Sequence, residues 1–302
     1  MRILITGVTG FIGSRLTETL ASNNHEVWGL SRNPNKAKQR VPQLTEVFAW
    51  DPVADQPAAD AFTDVNAVVH LAGEAVSGRW TKKKKQRIQD SRVIGTRNLV
   101  KALEQTGETT VLVSSSAIGY YGDHGNSELT EDHPSGRDFL SETCRSWEAE
   151  ANNAIAHGVR VVVIRTGIVL ADGGGALANM LLPFKMGVGG PMGSGKQWWS
   201  WIHRDDLVAI CLRAISDNEM AGVYNGTAPH PMQQRDFSTV LGKVLHRPSF
   251  LPTPAFALKL ALGGFSTELL ASKKIIPKRL QEAGFEFQYP ELETALRQAL
   301  GR

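Results

Sequence analysis

Cysteine is nearly missing from this chain. Cys144 and Cys211 are the only two in 302 residues, too few and too far apart for a disulfide framework, so a reducing compartment is expected. No Cys/His spacing resembles a zinc site, which leaves no metal expected. Long apolar runs are missing too. The apolar stretch at the start is only a strand's length, so the expectation is neither a signal peptide nor a membrane anchor, and a cytoplasmic location. Neither sign of charge dominates, with 33 Lys and Arg against 30 Asp and Glu. The one dense run, Lys82 to Lys85, lies beside an amphipathic segment and reads as a solvated helix face, not a nucleic-acid patch. Repeats and low-complexity tracts are absent. What remains, 42% hydrophobic and 21% charged, describes a globular chain long enough for one large domain plus a smaller one.

Against these absences stands the glycine-rich opening. Ile3 to Ile5 reads as a strand and runs into Gly7, Gly10 and Gly13, after which Phe11 to Leu20 reads as an amphipathic helix. Residues without a Cβ at Gly7 and Gly10 let backbone N–H groups approach a pyrophosphate at the positive end of the new helix, and Gly13 lets that helix lie close to the strand. With Thr9, Phe11 and Ile12 between them, these glycines form a candidate dinucleotide cradle. A second strand, Glu26 to Leu30, follows at the distance the motif requires. Where an NAD site usually places an acidic residue, this chain has Ser31-Arg32-Asn33 with Lys36 nearby. A guanidinium at that position grips a ribose 2′-phosphate through charge-assisted hydrogen bonds, and the Ser31 hydroxyl can add another. The expected cofactor is therefore NADP(H); the alternative is a solvated arginine at a helix start.

Strand-like stretches at Val68 to Leu71, Thr110 to Ser114 and Val159 to Arg165 alternate with helical ones near Ile88 to Gln105 and Asp138 to His157. That alternation predicts an α/β fold with a parallel, doubly wound sheet. Residues 1–171 form the expected Rossmann-type domain, rejoined by about 200–228. Residues 172–302 form a smaller substrate or lid region, with helical segments at Asp205 to Ser216, Gln234 to Leu245 and Ala255 to Leu262. Between the two, Asp172 to Gly195 is rich in glycine and proline and reads as irregular. Within it, Gly190-Pro-Met-Gly-Ser-Gly-Lys196 imitates a nucleoside-triphosphate loop, but Gln197 replaces the hydroxyl that would hold magnesium. A mobile loop closing over the site, with Lys196 reaching an anionic substrate, accounts for the same residues.

Beyond the glycines, the chain resembles the extended short-chain dehydrogenases/reductases, the class of sugar-nucleotide epimerases. Within that class it resembles an atypical branch of epimerase-family proteins, sometimes labelled cell-division inhibitors. The blocks that carry the resemblance are His70-Leu-Ala-Gly-Glu74, Ser91-Arg92-x-x-Gly-Thr96, Arg165-Thr-Gly-Ile-Val-Leu170, Trp201-Ile-His-x-x-Asp-Leu207 and Ile276-Pro-Lys-Arg-Leu-x-x-Ala-Gly-Phe285. The branch has its own C-terminal segment, from about residue 247. The resemblance implies that Leu71, Ala72 and Gly73 pass close to the adenosine and pyrophosphate, that Asp51 faces the adenine edge, and that Val169 runs along the nicotinamide. Each also reads as strand-end packing. It implies a small-molecule substrate, such as a sugar nucleotide, and a homodimer.

The class moves a proton with a serine and a Tyr-x-x-x-Lys pair, the lysine helping to lower the tyrosine pKa. Ser116 stands in the serine's place. No Tyr-x-x-x-Lys occurs anywhere in the chain. Alignment through Trp147-Glu148 puts Leu140 at the tyrosine's position and Cys144 at the lysine's. Leu140, Cys144, Trp147 and Ala151 then form a buried helical stripe. Arg92 stands where the class usually has an asparagine, placed to contact the cofactor or an acidic substrate. Tyr121, close after Ser116, is the substitute phenol. His203 and Asp205 are expected to position a loop and helix, and Trp198, Trp199 and Trp201 form either a substrate wall or core. Two functions follow: an NADP(H)-dependent oxidoreductase or epimerase in which Ser116 polarises a carbonyl and Tyr121 or water moves the proton, or a cofactor-binding sensor whose proton-transfer pair has decayed.

Overall fold

Alternate apolar residues of the first strand point to opposite layers, and this sets the architecture. In the computed structural model, which describes every residue except Glu108, Ile3 and Ile5 pack into one core and Leu4 into another. Both faces of the strand are therefore buried, as continuous apolar strands of a parallel sheet require. The strands are β1 (Arg2–Thr6), β2 (Glu26–Ser31), β3 (Glu46–Ala49), β4 (Val65–His70), β5 (Val111–Ala117), β6 (Arg160–Thr166) and β7 (Gly222–Gly226). They pair in the order β7-β6-β5-β4-β1-β2-β3, all parallel. The chain leaves the edge at β3 and returns beside β1 as β4, so the crevice outside the carboxyl ends of β1 and β4 lies at a topological switch point.

Helices α1 (Gly13–Ser22), α2 (Pro34–Arg40), α3 (Lys82–Thr106) and α4 (Phe139–Asn152) follow the strands of the first half. Leu16, Leu20 and Ala37 cover one face of the sheet, Leu99, Leu103 and Ala151 the other. The expected α4 is matched closely, because the Asp138 side chain accepts the Ser141 N–H as its N-cap. By contrast α3 begins six residues before the apolar periodicity does. The Thr81 side chain caps it through the Lys84 N–H, and a lysine run hides a helical turn from any pattern of apolar residues.

The second half departs from expectation most clearly before residue 195. The segment 172–195, read as irregular, contains α5 (Gly175–Lys185), whose Ala-Leu-Ala-Asn-Met-Leu-Leu stretch propagates a helix despite the Pro183 near its end. Next come α6 (Arg204–Ser216), α7 (Gln234–Leu245), α8 (Ala255–Leu262), α9 (Phe265–Leu270), α10 (Lys278–Glu282) and α11 (Leu292–Ala299). Leu177, Trp199, Trp201, Phe237, Leu241 and Leu296 make a separate core for this lobe. Among the described residues, no helix is long and apolar enough to cross a membrane.

Candidate functional site

The turn after β1 leaves no room for side chains. Gly7 has φ +67°, and a Cβ there would lie 2.9 Å from the backbone of Leu71 and Ala72; one at Gly13 would stand 2.4 Å from the Gly7 carbonyl oxygen. The Gly10 amide closes the turn on the Gly7 carbonyl at 2.8 Å. No side chain caps α1, whose N-terminus follows Thr9, Phe11 and Ile12. The Phe11 ring lies under Gly174 and Gly175, where any Cβ would collide with it, and Arg204 stacks over it. A narrow void at the strand ends is lined by Ile12, Leu71, Ser115 and Thr166 among others. Val169 lies in a short strand, Ile168–Leu170, paired with Trp201–His203.

Beneath the turn runs a buried chain of hydrogen bonds that sequence reasoning missed. Thr6 Oγ1 accepts the Leu71 and Ala72 N–H groups at 3.1 and 3.0 Å, so its own hydrogen goes to His70 Nδ1 at 2.7 Å. The ring therefore carries its hydrogen on Nε2 and donates it to Thr96 Oγ1 at 2.9 Å. Both ring nitrogens are spoken for in the neutral form. Burial, with the Arg92 charge nearby, lowers the His70 pKa from 6.5 to about 3. An unfolded chain takes up a proton that the folded one refuses. This contribution to stability is thus complete above pH 6.5 and drains as pH falls toward about 3, at roughly 1.4 kcal/mol per pH unit. Denaturant titrations from pH 7 to 4 should show a shallower pH slope for His70→Asn than for the wild type; identical slopes would mean His70 does not supply it.

The loops after β2 and β4 flank the turn. Ser31 is half-buried and Arg32 exposed; Ser31 Oγ accepts the Asn33 N–H at 3.2 Å, and Asn33 caps α2. Asp51 is exposed, two residues past β3, and its Oδ1 accepts the Val53 N–H. On the β4 side, Glu74 N–H donates to Ser91 Oγ and the Glu74 carbonyl accepts from Arg92 at 2.9 Å. The Arg92 guanidinium is pressed against Gly73, where a Cβ would come within 3.2 Å of it, and sits over the Trp147 ring. It joins the β4 loop to α4.

The residues expected to move a proton are placed less openly than their positions in the sequence imply. Ser116 is at the carboxyl end of β5, 3% exposed, and its hydroxyl donates to Glu148 at 2.6 Å. Glu148 is held by both arms of Arg165, each at 2.9 Å. Arg165 also donates to the Tyr121 hydroxyl at 3.0 Å, which itself donates to Asn225 Oδ1 at 2.7 Å. The Tyr120 ring covers the Arg165 guanidinium. The expectation of Tyr121 as the substitute phenol is corrected by this arrangement. It is fully buried, both sides of its hydroxyl are used, and burial raises its pKa to about 12 against the pull of Arg165. A phenol so placed anchors β6 to β7. The α4 stripe of Leu140, Cys144, Trp147 and Ala151 is buried throughout. Burial, reinforced by Glu148, pushes the Cys144 thiol up to about 12 against the pull of the Arg92 charge.

Elsewhere in the second lobe the sequence candidates serve structure. His203 Nδ1 caps α6 by accepting the Asp205 N–H, and Nε2 faces Gln298 Oε1 at 2.6 Å. Asp205 pairs with Arg15 of α1. Trp199 and Trp201 are core, while Trp198 is half-buried and donates to Asn126. The Gly190–Lys196 stretch leads into a strand, Trp198–Trp199, not a helix, and Gly193 and Gly195 are tied to Thr253 and Met192; Lys196 is exposed. Among the described residues, no cluster of His, Cys, Asp and Glu is suited to a metal.

A glycine turn at the switch point of a seven-stranded parallel sheet defines a dinucleotide-fold protein, and the chain belongs to the NAD dependent epimerase/dehydratase family, whose model matches residues 3–225. Residues 253–299 match a domain of unknown function, DUF1731. The chain is 43% identical over 301 residues to the chloroplastic epimerase family protein SDR39U1 homolog of Arabidopsis thaliana, covering 98% of this chain and 86% of that one. Its fold matches the crystal structure of human epimerase family protein SDR39U1 (isoform 2) with NADPH at a TM-score of 0.88, with 34% identity and full coverage of both chains. A UDP-glucuronic acid 4-epimerase from Bacillus cereus, in complex with UDP-glucuronic acid and NAD, shares the fold at a TM-score of 0.81 and 18% identity, covering 100% of this chain and 98% of that one.

Proposed function

We propose that this chain is an NADP(H)-dependent oxidoreductase or epimerase acting on the carbonyl/alcohol group of a small molecule. The observation that carries the reading is the cradle itself: a Cβ at Gly7 or Gly13 would fill it, and the α1 N-terminus behind it has no side-chain cap, which suits an anionic pyrophosphate. Arg32 is exposed at the end of β2, positioned for a 2′-phosphate with Ser31 beside it. Leu71, Ala72 and Gly73 border the adenosine side, Asp51 the adenine edge, and Arg92 and Val169 the path toward the nicotinamide. When bound, the cofactor supplies or takes up a hydride.

Ser116 has a different part from the one its position suggests. A hydroxyl already donating to a carboxylate presents lone pairs, so Ser116 accepts a proton from a substrate alcohol while passing its own to Glu148. General acid–base help of this kind is worth roughly 10²–10⁴-fold. The second reading, a cofactor-binding sensor, is favoured by one observation: Tyr121 and the Leu140–Cys144 face are sealed in the interior.

Two measurements test the assignment. NADPH should bind more tightly than NADH, and Arg32→Ala should remove most of the difference, about 10-fold or more for one lost charge-assisted contact. Equal affinities in the wild type would end the 2′-phosphate reading. Transfer of deuterium from labelled NADPH to a member of a sugar-nucleotide, aldehyde and ketone panel, slowed in Ser116→Ala, supports the enzyme. Tight NADPH binding with no transfer to any of them supports the sensor.

A further inference from the structure

Because β2 and β4 are the two neighbours of β1, the loops that follow them face each other across the glycine turn. One presents Arg32. The other presents Glu74, which lies within the field of Arg32. Two more cations reach the same carboxylate from the start of α3: Lys84 Nζ is 2.8 Å and Arg87 3.5 Å from Glu74 Oε1.

Helix stability does not account for these cations. The first turn of α3 contains no acidic residue and instead carries Lys82 to Lys85, at the helix end where the backbone dipole is already positive and disfavours cations. Lys84 and Arg87 are drawn to one side by Glu74, yet Arg32, Lys84 and Arg87 together leave two positive charges after Glu74 is counted. A phosphate monoester carries about −1.5 to −2 charges at neutral pH. The 2′-phosphate is what distinguishes NADPH from NADH, and its charge matches the excess.

We propose that Lys84 and Arg87 form the second jaw of a clamp on the ribose 2′-phosphate, with Arg32 as the first, and that Glu74 holds both helix cations in place while the clamp is open. The inference rests on the Arg32 reading above. Glu74 then competes with the phosphate for Lys84 and Arg87, so it also limits how tightly the cofactor is held. Arg87, whose side chain is 56% exposed, can be replaced without disturbing the interior.

The test compares NADPH and NADH dissociation constants, read by nicotinamide fluorescence, for the wild type, Arg87→Met, Lys84→Met, Glu74→Gln and Arg32→Ala, with 2′,5′-ADP and 5′-ADP as competing fragments. Arg87→Met and Lys84→Met should each weaken NADPH and 2′,5′-ADP by about 5–10-fold, on the scale of one charged contact, and leave NADH and 5′-ADP unchanged. Glu74→Gln should tighten NADPH. If Arg32→Ala discriminates between the cofactors while Lys84→Met and Arg87→Met do not, the clamp is overturned and the Arg32 reading stands. If none of the variants discriminates, both fall. Equal losses for NADPH and NADH in the α3 variants would assign Lys84 and Arg87 to loop structure and also overturn the clamp.

Discussion

Arg165→Met should cost about 3–5 kcal/mol of folding free energy, the range for a buried charge stripped of its partner. Glu148 and Arg165 have side chains only 8% and 4% exposed, so removing the guanidinium leaves a carboxylate with, among the described residues, one remaining hydrogen-bond partner, the Ser116 hydroxyl, and little access to water. The Tyr121 hydroxyl loses its donor at the same time, and Tyr120 loses the cation beneath its ring. A loss of this size is a large part of the total stability of a typical domain. Equilibrium urea denaturation gives the number. The double variant Arg165→Met with Glu148→Leu should recover much of it, because replacing a buried pair by apolar residues is far cheaper than breaking it. A cost near zero for Arg165→Met would mean that the pair is solvated in the native state.

The second large effect is on binding. Gly13→Ala should weaken NADPH by roughly 100-fold, about 2.7 kcal/mol, while far-ultraviolet circular dichroism remains that of the folded chain. The new Cβ would meet the Gly7 carbonyl oxygen at 2.4 Å and the Val8 Cα at 3.0 Å. All three atoms are main chain or bonded directly to it, so no rotamer relieves the contact and α1 must move away from β1. That displacement shifts the N–H groups proposed to hold the pyrophosphate, whereas the sheet beneath is packed by Ile3, Leu4 and Ile5 and tolerates it. Isothermal titration with NADPH measures the outcome. Unchanged affinity would show that the α1 start is not where the cofactor docks.

The two variants also mark what sequence reasoning reaches. Gly7, Gly10 and Gly13 were readable because their constraint is local: a strand, a turn without Cβ atoms and a helix follow one another in the chain. The α4 stripe was readable for the same reason, since Leu140, Cys144, Trp147 and Ala151 obey the helical period and all are buried. Tyr121 was misjudged because its partners lie far away, Arg165 on β6 and Asn225 on β7, at separations of 44 and 104 residues. Nothing in the local sequence of a tyrosine says whether its hydroxyl meets solvent or an asparagine. A faint signal did exist. Arg165 closes the apolar run Val161-Val-Val-Ile164, and a charge at the end of a central strand needs a buried partner. Thr6 and His70 left the same kind of trace, as polar ends to apolar strands. The α5 helix went unseen because glycine and proline at its borders masked good helix formers between them.

The C-terminal segment bears on the order of assembly. Asn225 Nδ2 donates to the Ile276 carbonyl, and Glu131 receives both the Asn225 amide and, from 148 residues further on, the Arg279 amide. Arg279 also holds the Val223 and Ala221 carbonyls at the open edge of β7. The last polar partners of the sheet thus stand 51 to 58 residues beyond the groups they hold. A nascent chain that stops short of Ile276 has its glycine turn and most of its strands but leaves β7 an unfinished edge, the kind of strand that pairs with other chains. Completion of the sheet therefore waits for the segment through Arg279, and a chain without it is the form most exposed to pairing with other chains.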